Sequence, residues 1–134
     1  MCGGRSSRIL RHNRIRDMIA RAARDAGYNT DLEHGGGLGD KRRPGDMIIY
    51  NWCSNKHLLI DVAVTNPLAP SHINQLLQHG AGSVANEVQT AKRDKYKNLD
   101  PNICDFLPLI VETCGGVGSE ANSFCKELKK RLCL

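Results

Sequence analysis

The stretch His57-Leu58-Leu59-Ile60-Asp61-Val62-Ala63-Val64-Thr65 decides the fold. Its leucines, isoleucine and valines leave almost no polar surface, which predicts a central β-strand covered on both faces. Pro67 and Pro70 end it. Working upstream, Asn51 to Lys56 is turn-forming, and Asp46 to Tyr50 predicts a second strand led in by Lys41 to Pro44. Beyond the glycine-rich turn His34 to Gly39, Tyr28 to Glu33 predicts a third, shorter strand. Residues 8 to 26 predict a helix: Ile15, Met18, Ile19, Ala22, Ala23 and Ala26 recur at helical spacing, arginines take the other face, and Gly27 suits the stop. Working downstream, Ser71 to Gln78 predicts a short helix capped by Ser71. Ser83 to Asn98 predicts a longer one with Val84, Val88 and Ala91 on one stripe. Asp105 to Thr113 predicts a strand bounded by Gly115-Gly116. Ser119 to Leu132 predicts a last helix, capped by Ser119, that buries Phe124, Leu128 and Leu132. The order helix, three strands, helix, strand, helix predicts an α/β protein: a mixed β-sheet flanked by helices.

Composition supports one domain. The chain has 134 residues, 40% hydrophobic and 25% charged, enough to bury a core without staples. Its apolar runs fall far short of a membrane span, and no apolar segment follows the N-terminal arginines, so the expectation is no membrane partner, no secretion and a nuclear or intracellular location. Six cysteines form no C-x-x-C pair, which favours reduced thiols over a disulfide framework.

Charge points toward a polyanion. Lys and Arg number 19 against 14 Asp and Glu. Residues 1 to 24 hold seven arginines and the single acid Asp17. Lys41-Arg42-Arg43 and Lys92, Arg93, Lys95 and Lys97 form smaller clusters. Local charge of this kind favours nucleic acid through counterion release; a solvated arginine face is the other reading. Only six aromatic residues are present, which argues against base stacking as the mode of recognition.

Two acids carry the candidate chemistry. Asp46 follows Pro44-Gly45 at the start of one predicted strand, and Asp61 lies inside the next. An acid within an apolar strand is expensive to bury unless it is paired or holds a cation. If the strands form a hairpin, the two carboxylates meet at one end of the sheet and make a hard-oxygen site for Mg²⁺ or Mn²⁺. Asp46 by itself also reads as a turn residue. On the following helix, Lys92, Lys95 and Tyr96 share a face by their i, i+3 and i, i+4 spacing, beside the apolar stripe. Lys92 can turn inward to the acids or reach out to water.

This combination resembles a known family. Asp46 after Pro44-Gly45, Asp61 within a strand, and Lys92-Arg93-Asp94-Lys95-Tyr96 on the next helix look like the restriction-like endonuclease domain of non-LTR retrotransposons, a branch of the PD-(D/E)XK superfamily. The opening Arg11-His12-Asn13 with Arg16-Asp17, and the strand Phe106 to Thr113 followed by glycines, are also similar to that family. The resemblance spans residues 10 to 116. Two departures stand out. Ala63 occupies the place where the superfamily usually has lysine, and a glycine separates Pro44 from Asp46. In the retroelement branch the lysine comes from the helix, the place of Lys92.

The resemblance implies a restriction-endonuclease-like core and metal-dependent nicking of DNA by phosphodiester hydrolysis. Asp46 and Asp61 would be the metal ligands, with Glu33 and Glu112 as outer candidates. Lys92, with Lys95 and Tyr96, would act in catalysis. Arg8, Arg11, His12, Arg14, Lys41, Arg42, Arg43 and Arg93 would hold the DNA backbone. Cys2-Gly3-Gly4 looks like the end of a zinc knuckle whose other ligands are absent, so residues 1–7 are expected to be a knuckle remnant or disordered tail before a single domain at 8–134. The implied partner is an upstream reverse transcriptase in a longer polyprotein. A catalytically decayed nucleic-acid-binding module of the same fold is the alternative, and an unrelated structural α/β domain a third reading.

Overall fold

The computed structural model describes residues 5–32 and 45–132. Eight elements follow the chain: α1 (Arg5–Asp25), β1 (Thr30–Leu32), β2 (Met47–Cys53), β3 (Lys56–Thr65), α2 (Ile73–His79), α3 (Ser83–Lys95), β4 (Cys104–Glu112) and α4 (Ser119–Leu132). They form a four-stranded mixed sheet in the order β1-β2-β3-β4, so the α/β expectation holds. β1, β2 and β3 pair antiparallel, whereas β3 and β4 are parallel and joined through α2 and α3, since a parallel return needs a crossover.

β3 is central, as its composition demands. Its side chains alternate between two covered faces. Leu58, Ile60 and Val62 join Met47, Ile49, Leu107 and Leu109 against Ala20 and Ala23 of α1 and Ala121, Phe124 and Leu128 of α4. Asp61 and Ala63 lie on the opposite face, beneath α3. Ile60 and Ile49 are fully buried, and burial of a side chain of this size contributes about 1.5–3 kcal/mol.

The hairpin between β2 and β3 sets the register. Cys53 pairs with Lys56, leaving Ser54 and Asn55 as a two-residue loop with φ of 51° and 63°. Positive φ at both positions is the primed turn that suits the twist of paired strands. β2 therefore runs to Cys53, and the turn is shorter than the predicted Asn51 to Lys56 stretch. The register shifts between Ile49 and Cys53; beyond that irregularity Met47 lies opposite Ile60, and one step further sets Asp46 beside Asp61.

Several local expectations are corrected. Met18 and Leu132 are exposed: Met18 lies off the stripe of α1 that meets the sheet, and Leu132 continues the buried stripe of α4 but is its last residue. Ala91 is exposed as well; the inward stripe of α3 is Val84, Ala85 and Val88, and it continues to Lys92. Ser71 caps nothing: α2 starts at Ile73 with His72 at its N-cap and no side-chain bond there. Ser119 lies inside α4, and its amide donates to Asn86 Oδ1 at 2.8 Å while Glu120 N donates to Gln89 Oε1 at 2.9 Å. The first turn of α4 is thus capped from α3 instead of by its own serine. Cys53, Cys104, Cys114 and Cys125 are free thiols. Among the described residues no helix is long and apolar enough to cross a membrane.

Candidate active site

Asp46 reaches its place through Gly45. Gly45 has φ of 93°, a left-handed value, and a Cβ there would lie 2.9 Å from the Leu59 side chain and 3.0 Å from the Ile60 carbonyl. Only glycine brings the chain this close to β3 without strain. The Asp46 amide then donates to Ile60 O at 2.7 Å, and its carboxylate Oδ2 accepts from Val62 N at 2.7 Å. A side-chain oxygen thereby replaces the ladder carbonyl that β2 cannot offer before its start. It also fixes the carboxylate beside Asp61. The glycine that looked like a departure from the family pattern is what seats the first acid.

Asp61 is 7% exposed. Its Oδ2 accepts from Lys92 Nζ at 2.7 Å. Lys92 is four residues beyond Val88 and eight beyond Val84, so its stem continues the buried stripe of α3 and its amine ends over the sheet. Ala63, on the Asp61 face, has no bulk to obstruct it. Burial raises the pKa of Asp61, Lys92 pulls it down, and the neighbouring Asp46 carboxyl pushes it up by hydrogen bond and by charge; the net direction is upward. Burial alone would lower the pKa of Lys92, but its bond to Asp61, with help from Tyr96 and Asp46, raises it. Asp46, Asp61 and Lys92 thus form one electrostatic group.

His12 joins them from the other layer. Its Nε2 lies 3.1 Å from Asp46 Oδ2, and its Nδ1 lies 3.1 Å from Asn13 Oδ1. A groove of about 440 Å³ lined by Ile9, His12, Asn13 and Val64 opens alongside. The family resemblance groups His12 with the DNA-contacting arginines. Its proximity to Asp46 depends on how α1 crosses the sheet, a long-range arrangement that local spacing does not encode.

Other candidates separate. Tyr96 stacks on Phe106, ring centroids 4.7 Å apart, and Lys95 Nζ lies 5.4 Å from the Tyr96 ring; Tyr96 lies within electrostatic reach of Lys92, whereas Lys95 is exposed. Arg93 bonds through its guanidinium to Glu120 and to Phe106 O, tying α3 to α4 and β4, and its side chain is half-exposed. Glu112 lies apart from the two acids. It is 2% exposed, and its carboxylate accepts from Gly82 N at 2.9 Å and Ala85 N at 3.0 Å. It caps the start of α3, opposite Thr65 in the ladder and four positions along β3 from Asp61. Arg11 is half-buried and Arg14 exposed on α1. Glu33, Lys41, Arg42, Arg43, the Arg8 side chain and residues 1–4 with Cys2 lie outside the described residues.

The donors suit a hard divalent cation. The pKa of Asp61 is raised chiefly by burial, with a smaller push from the Asp46 carboxyl, so a cation placed between the two acids would favour the ionised form of Asp61. Among the described residues no group of three or more His, Cys, Asp or Glu gathers into an all-protein cage. Mg²⁺ needs none: one or two carboxylates suffice where waters and substrate phosphate oxygens complete the shell. No protein-family model matches the chain, and no curated protein is similar to it.

Proposed function

We propose that this chain is a metal-dependent DNA endonuclease domain with a restriction-endonuclease-like core, serving a retroelement alongside an upstream reverse transcriptase. The observation that carries the reading is the meeting of Asp46 and Asp61 at one end of the β2–β3 ladder with Lys92 delivered from α3. A buried acid set beside a second carboxylate costs folding free energy, and groups arranged in this way concentrate at functional sites.

Asp46 and Asp61 would hold Mg²⁺ or Mn²⁺, which when bound polarises the scissile phosphate and lowers the pKa of water. Lys92 supplies a fixed positive charge where negative charge develops on phosphate oxygens. Tyr96, braced on Phe106, lies within electrostatic reach of the Lys92 amine and would help to position it. Arg11 and Arg14 on α1 contact the DNA backbone and contribute affinity without sequence information.

The test is nicking of supercoiled plasmid by purified protein with Mg²⁺, Mn²⁺ or EDTA. Nicking that requires metal and vanishes in Asp61→Ala, with DNA binding intact, supports the reading. Protein that binds DNA but nicks with neither metal is the decayed module. Nicking that survives Asp61→Ala places the chemistry elsewhere.

A further inference from the structure

Asp46 Oδ2 receives two ties. One comes from within the sheet, Val62 N at 2.7 Å; the other comes from α1, His12 Nε2 at 3.1 Å. An imidazole nitrogen that carries its hydrogen can donate to this oxygen. Both ties fall on the same oxygen. They hold Oδ2 in place from two sides, while the Asp46 carboxyl also lies within hydrogen-bonding reach of that of Asp61. Asp61 is held in a similar way: Lys92 holds its Oδ2. Each acid is therefore anchored through one oxygen by a different helix, α1 for Asp46 and α3 for Asp61. Asn13, against the far side of the imidazole, restrains the ring in turn.

We propose that His12 is a positioning residue for a divalent-cation site: it orients Asp46 so that its second oxygen and that of Asp61 present together to the ion. The inference rests on the nuclease reading of Asp46 and Asp61. It assigns His12 a role distinct from phosphate contact, although α1 carries both His12 and the arginines. Outer groups that orient a ligand alter metal affinity by roughly 10–100-fold when removed. His12 is partly exposed, so its replacement leaves the core untouched.

The experiment is Mn²⁺ binding to the intact protein without DNA, read as loss of the free Mn²⁺ electron paramagnetic resonance signal, together with DNA affinity measured in EDTA. His12→Ala is expected to weaken Mn²⁺ binding by about 10–100-fold and to leave DNA affinity in EDTA unchanged. His12→Gln, whose amide nitrogen can reach the same carboxylate, is expected to restore most of the Mn²⁺ affinity. Equal Mn²⁺ affinity in wild type and His12→Ala overturns the positioning role, as does a variant that loses DNA affinity alone. Asp61→Asn separates the two levels of the argument. If wild type binds no Mn²⁺, or Asp61→Asn binds it equally well, the nuclease reading fails and the role of His12 falls with it.

Discussion

Lys92 Nζ donates to Asp61 Oδ2 at 2.7 Å across 31 residues of chain, and this bond places the only lysine on the inner stripe of α3 over the acid of the central strand. If the amine serves charge development on phosphate, Lys92→Ala should slow metal-dependent nicking by about 10²–10³-fold. Lys92→Arg should recover little, because a planar fork does not replace a compact ammonium. Stability should fall in both, by about 1–3 kcal/mol for the alanine variant, since a mostly buried Asp61 loses its partner; part of the pair is solvent-screened, which keeps the figure below that of a fully buried ion pair. Plasmid nicking and urea denaturation measure the two effects. A rate within a few-fold of wild type in Lys92→Ala would reduce the pair to a structural ion pair.

Gly45→Ala tests how Asp46 is seated. The new methyl must enter at φ of 93° and within 2.9 Å of Leu59 and 3.0 Å of Ile60 O. Destabilisation of about 1–3 kcal/mol is expected from the backbone alone. The variant should also lose Mn²⁺ affinity, since moving Gly45 moves Asp46 off Val62 N. A variant as stable as wild type would mean that the turn relaxes and that Gly45 is not what holds the acid.

How much of this was legible in sequence follows from the range of each interaction. The apolar run of β3, the alternation that separates Asp61 from Ile60, and the helical spacing that places Lys92 four residues after Val88 are local, and they named the central strand and the three-residue core of the site. The hairpin's Ser54-Asn55 loop was blurred into a longer turn, because positive φ at serine carries no strong local signal. Long-range contacts were illegible. Nothing near Glu112 in sequence says that its carboxylate meets amides at Gly82 and Ala85, 30 and 27 residues away. Nothing near Arg93 announces Glu120, and nothing near His12 announces Asp46.

Glu112 offers a contrast with the site acids. Buried at 2% exposure and bonded to two amides, it is packed so closely that a Cβ on Gly116 could not fit beside its carboxylate. Glu112→Gln should destabilise by about 1–3 kcal/mol, because an amide NH₂ would then face a backbone N–H. Mn²⁺ affinity of the folded fraction should not change. A loss of metal binding with unaltered stability would instead make Glu112 a metal ligand.

The raised pKa of Asp61 has a signed consequence. Its folded-state value lies above the ordinary 3.8, chiefly through burial, so the folded protein holds this proton more tightly than the unfolded chain. The associated stability is present below the ordinary carboxylate value and is lost as pH rises through the raised one. Comparing wild type with Asp61→Asn by denaturation from pH 3.5 to 7 should show wild type losing ground as pH rises. Lys92 remains charged throughout that window, so the difference in slope belongs to the acids. Saturating Mg²⁺ should reverse the trend, because the cation favours the ionised form. A wild type that gains stability relative to Asp61→Asn with rising pH would show that Lys92 outweighs burial.

DNA affinity tests the role of α1. The described helix presents Arg14 and Arg21 to solvent, while Arg24 is turned to the Thr30 carbonyl and Arg16 is paired with Asp17. Charge on α1 is therefore only partly available, and the salt dependence should reflect fewer phosphates than the arginine count suggests. Each phosphate neutralised contributes a slope of about −0.9 in log affinity against log salt on duplex DNA. Arg14→Gln should make that slope shallower by about one contact and weaken binding similarly across unrelated sequences, as a backbone contact does. Arg24→Gln should instead loosen the α1–β1 junction, lowering stability with little effect on the slope. Fluorescence anisotropy with two oligonucleotides of different sequence, from low to moderate salt in EDTA, measures both quantities. An unchanged slope in Arg14→Gln would remove this face of α1 from the DNA path.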